Sequence, residues 1–61
     1  MTRKEFEKTE FRKGDKAIYH GIECTIVAIE FVEGLLGLKH KDYDQIDWAR
    51  CESIMYKPLH S

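Results

Sequence analysis

The sequence predicts a small all-β domain: five short strands closed into a barrel or roll, with a short N-terminal arm in front. Two observations carry that expectation. Runs rich in strand-forming residues are only four to about ten residues long, and tight-turn residues separate them. At 61 residues the chain permits a single domain, and no segment past the arm shows the 3.6-residue apolar period of a helix.

The elements follow in chain order. Residues 1–10, MTRKEFEKTE, are polar and charged around one aromatic, Phe6. One apolar residue offers no packing face, so this segment reads as a frayed arm or a short helix. The barrel is expected over 11–58 and a tail over 59–61. Gly14-Asp15 signals a turn. Lys16-Ala17-Ile18-Tyr19 forms a first strand, and His20-Gly21 suits a two-residue type I′ hairpin turn, whose positions need positive φ.

The second strand runs from Ile22 to about Val32. Ile22, Cys24, Ile26 and Ala28 fall on one face, and Glu23, Thr25, Val27 and Ile29 on the other. The alternation blurs at 26–29, as expected of a strand that is either central or so strongly bent that it serves two sheets in turn. After a turn at Glu33-Gly34, Leu35–Lys39 is a short third strand in which Gly37 marks a bulge or a close backbone approach. His40–Asp44 is a polar loop and Gln45–Arg50 a fourth strand. Cys51-Glu52-Ser53 fits one 3₁₀ turn, and Ile54–Lys57 is a fifth strand closed by Pro58.

FRKGDKAIYHGIECTIVAIE, over 11–30, resembles the opening hairpin of many bacterial and phage Src-homology-3-like (SH3-like) barrels. IDWARCESIMY, over 46–56, resembles their closing strand, helical turn and last strand. The resemblance is one of fold. The eukaryotic peptide-binding subfamily's ALYDY-type motif and paired tryptophans are absent, so its recognition of PxxP peptides is not implied. The resemblance implies a five-stranded SH3-like barrel of bacterial or phage origin, and many such barrels bind RNA or DNA.

Composition narrows the function classes. A single small core leaves little volume for a substrate cleft, which points away from an enzyme. The formal net charge is −1, whereas a strong general nucleic-acid binder is normally basic. Charge is unevenly placed. Residues 1–14 carry Arg3, Lys4, Lys8, Arg12 and Lys13 against Glu5, Glu7 and Glu10, and the remainder has five cations against eight carboxylates. No apolar run opens the chain and no stretch approaches the roughly 20 apolar residues of a membrane span. A cytoplasmic protein with reduced Cys24 and Cys51 is expected.

No chemistry-bearing constellation is complete. His20, His40, His60, Cys24 and Cys51 lack the paired spacing of a zinc site. Asp42, Asp44 and Asp47 sit where a calcium loop would need glycine sixth and glutamate twelfth, and the chain has Asp47 and Ser53 there. No metal and no cofactor is therefore expected. Cys51 stands beside Arg50, and a neighbouring cation favours the thiolate, but no general base or oxyanion device accompanies it.

Aromatic residues remain: Tyr19, Phe31, Tyr43, Trp48 and Tyr56 are more than so small a barrel buries. The leading expectation is a non-catalytic protein-interaction module, an accessory factor docking through Asp42, Tyr43, Asp44 and Trp48. The second is nucleic-acid binding through Arg3, Lys4, Lys8, Arg12 and Lys13 together with Lys39, Lys41 and Arg50. A third is self-association through open edge strands.

Overall fold

The structure is a computed structural model describing residues 1–58; the expected 59–61 tail, with His60, lies outside the described residues. Helix α1 spans Arg3–Lys8. The strands are β1 (Lys16–Tyr19), β2 (Ile22–Glu30), β3 (Leu35–Lys39), β4 (Ile46–Arg50) and β5 (Ile54–Lys57), with a 3₁₀ turn at Cys51–Ser53 between β4 and β5. They form one five-stranded sheet in the order β4-β3-β2-β1-β5. Every neighbouring pair is antiparallel.

The hairpin between β1 and β2 turns where the local chemistry allows it. Tyr19 pairs with Ile22, and the two residues between them both take positive φ, 53° at His20 and 77° at Gly21. That is the type I′ requirement.

β2 is the central strand of the sheet, and the irregularity at 26–29 has an identifiable cause. Against β3, Ile26 pairs with Leu38 but Ala28 pairs with Gly37, so Val27 is an extra residue and forms a bulge. The slip exchanges the faces of everything after it. Cys24 and Ile26 point into the core, as the alternation predicts. Past the bulge Ile29, opposite Leu36, packs on the core and Ala28 turns to the outer face. This corrects the expected assignment of Ala28 and Ile29. β2 also stops at Glu30 rather than near Val32, and residues 31–34 turn the chain.

The core gathers Phe6, Ala17, Cys24, Ile26, Leu36, Leu38, Ala49, Cys51 and Ile54. Phe6 corrects the reading of the arm as lacking a packing face: its side chain is 0% exposed. Its ring lies 5.5 Å from those of both Phe11 and Phe31. A six-residue helix is too short to persist alone in water, so docking of Phe6 supplies what propensity does not. A capping box starts the helix: Thr2 accepts from the Glu5 amide while the Glu5 carboxylate accepts from the Thr2 amide. Those bonds also hold the Glu5 carboxyl below its ordinary range.

Arg3 fastens the helix from outside. Its guanidinium donates to the carbonyls of Phe31 and Val32 at 3.0 and 2.9 Å. Gly34 makes room for it: φ there is +70°, and a Cβ would stand 2.5 Å from Arg3 Nη1. Gly34→Ala therefore combines left-handed strain with displacement of Arg3. A loss of about 1–2 kcal/mol is expected in urea denaturation, and part of it should vanish in an Arg3→Ala background.

Candidate functional site: the outer face of β2, β3 and β4

Leu36 and Leu38 point inward, so Gly37 between them faces out. Its cross-strand neighbours are Ala28 on β2 and Trp48 on β4. A Cβ built on Gly37 would lie 3.0 Å from Ala28 Cβ, 3.1 Å from Ile46 Cγ2 and 3.4 Å from Trp48 Cη2. The indole thus rests over a floor without side-chain bulk. Trp48 remains 53% exposed and Ile46 47%. Alternation puts Ile46, Trp48 and Arg50 on one face of β4, with Ala49 buried between them.

The pairing register places two cations on that face. Lys39 stands opposite Ile46, and Arg50 opposite Leu35. The site is therefore an apolar platform of Ala28, Gly37, Ile46 and Trp48 with a cationic residue toward each end of β4.

Asp42, Tyr43 and Asp44 lie apart from the platform, in the loop from β3 to β4. His40 organises this loop. Its carbonyl accepts from the Tyr43 amide at 3.1 Å and its Nδ1 accepts from the Asp42 amide at 3.2 Å. The His40 and Tyr43 rings approach to 5.4 Å, and Tyr43 is still 67% exposed. The predicted protein-binding set thus divides into Trp48 on the sheet and an acidic, aromatic loop leading into the same strand.

The basic set divides further. Arg3 is engaged with the carbonyls of the 31–34 turn and with Glu7 at 3.2 Å. Lys4 and Lys8 are exposed on α1 among Glu5 and Glu7, and Arg12 and Lys13 form the turn before β1. Lys41 sits in the acidic loop, while Lys39 and Arg50 belong to the Trp48 face. These cations do not line up along a single element.

Both cysteines are free and buried. Burial is the main cause that pushes each thiol above its ordinary value. At Cys51 a hydrogen bond from Sγ to the Glu52 carboxylate, 3.3 Å, adds to it. This corrects the expectation that Arg50 would favour a Cys51 thiolate. Folded protein at neutral pH is expected to resist Ellman's reagent and to react only as it unfolds. Among the described residues no three of His, Cys, Asp and Glu gather as a metal cluster would require. None of the described helices is long and apolar enough to cross a membrane.

No protein-family model, curated protein or solved structure matches the chain.

Proposed function

We propose that this chain is a non-catalytic binding module whose Trp48 face docks on a protein partner. The observation that carries the reading is the indole of Trp48, half exposed over Gly37 and Ala28 and flanked by Ile46. Aromatic residues on a preformed apolar floor are the usual energetic anchors of protein interfaces. Tyr43 and the acidic loop would form part of the polar rim, and Lys39 and Arg50 the rest.

We read the sheet as that of an SH3-like barrel, in which β2 bends at the Val27 bulge. The 3₁₀ turn between β4 and β5 supports this reading, matching the closing segment of such barrels. An accessory factor of bacterial or phage origin, working in the cytoplasm, fits a small near-neutral module of this kind.

Nucleic-acid binding is the second reading, because Lys39 and Arg50 share a face with Trp48. The two differ in salt response. Immobilised protein is expected to retain a partner from nuclease-treated lysate of the source cells at about 0.5 M salt, where phosphate contacts are largely screened. Trp48→Ala should lower retention about tenfold or more, as an interface anchor does. In lysate left untreated, a captured component that is lost on adding nuclease and at moderate salt would establish the second reading instead.

A further inference from the structure

A second surface, on the opposite edge of β2, has a geometry of its own. β1 pairs with β2 only from Tyr19↔Ile22 to Lys16↔Thr25, followed by one more bond, from the Ile26 amide to the Asp15 carbonyl at 2.9 Å. At Gly14, with φ 95°, the chain turns away from the sheet. β3 continues along the other edge of β2 as far as Glu30. Among the described residues no strand takes the place of β1 beside 27–30.

The chain's departure leaves a groove of about 590 Å³ between residues 11–14 and residues 25–29. Its walls are apolar: Phe11 on one side and Ile26, Val27, Ala28 and Ile29 on the other. Its charged residues are Arg12 and Lys13, both exposed, and no carboxylate lines it. Lys13 joins no ion pair among the described residues.

We infer that this groove takes an extended, acidic segment of a partner protein, which adds to β2 where β1 leaves off. Two features select that occupant. A strand edge bordered by an apolar trough suits extended backbone with alternate apolar side chains. Lys13 on the rim, with no carboxylate lining the groove, suits acidic side chains on the outward-facing positions, whereas Arg12 also borders Glu10 and Asp15. The groove shares Ala28 with the Trp48 platform but none of its exposed residues, so the two surfaces can be tested separately.

The test is an amide NMR titration of the ¹⁵N-labelled chain with a capped heptapeptide, Glu-Val-Thr-Val-Asp-Val-Glu, whose acidic residues all fall on the face opposite its valines. Saturable shifts are expected at Lys13, Gly14 and 27–29, with the Trp48 indole signal unmoved. Lys13→Glu, on an exposed turn, should weaken binding about fivefold, the effect of one rim ion pair. Trp48→Ala should leave the peptide affinity unchanged. The inference is overturned if no groove amide shifts, or if the same peptide with lysine at its acidic positions binds equally well. It is also overturned if oligothymidylate shifts these amides and the acidic peptide does not, which would make the groove a nucleic-acid site.

Discussion

Phe6→Ala is expected to leave the domain largely unfolded at 25 °C. The side chain is fully buried and touches the rings of Phe11 and Phe31, so its removal cuts three elements apart at once. Replacing a buried phenylalanine by alanine costs about 3–5 kcal/mol. A single core of this size supplies about the same amount in total. Urea denaturation followed by circular dichroism checks it, and Phe6→Leu should fold with a loss of about 1.5 kcal/mol or less. A cost for Phe6→Ala below about 1 kcal/mol would mean that the helix is not part of the core.

The second large effect lies at Asp15, a carboxylate only 1% exposed. It accepts from the Arg12 amide at 2.9 Å and from the Tyr56 hydroxyl. Asp15→Ala would leave both donors without this acceptor in a site sheltered from water, for an expected cost of about 2–3 kcal/mol. The pair also has a pH signature. Burial first, and then the hydrogen bond to and the charge of Asp15, push the Tyr56 hydroxyl up to about 12 from an ordinary value of 10.

A phenol whose value is raised by folding favours the native state while it stays protonated. Its contribution is whole below pH 10 and is lost as the pH climbs from about 10 to about 12. Lysines titrate in the same range, so the quantity to compare is the stability difference between wild type and Tyr56→Phe. That difference should shrink steadily above pH 10. A difference that stays constant to pH 12 would show that the hydroxyl does not titrate as described.

Much of the sheet could be read from the chain because its signals are local. His20-Gly21 announces a type I′ turn by residue type, and Ile54–Lys57 stops at Pro58 for want of a donor. Features that depend on distant residues could not be read so. Phe6 has no apolar neighbour at helical spacing, and its partners Phe11 and Phe31 come from elsewhere in the sequence. The Thr2–Glu5 capping box is a local sign of α1 that the reading of the arm passed over. The blurred alternation at 26–29 shows that β2 is irregular, but the register against β3 decides that Val27 is the extra residue.

The candidate site divides in the same way. Trp48 stands out as an aromatic on an alternating strand. Its floor does not, because Ala28 and Gly37 come from two other strands and meet it through the bulge and the β3–β4 register. Arg3 read as a free cation of a basic arm because the carbonyls it binds lie 28 and 29 residues away.

Photo-crosslinking from position 46 tests the docking face most directly. A benzoylphenylalanine at Ile46, beside the indole and half exposed in the native chain, reports whatever covers Trp48. In lysate of the source cells the expected result is a discrete adduct that protease destroys and nuclease leaves intact, and that Trp48→Ala abolishes. A nuclease-sensitive adduct, or a protein adduct indifferent to Trp48→Ala, would contradict the assignment of this face to a protein partner.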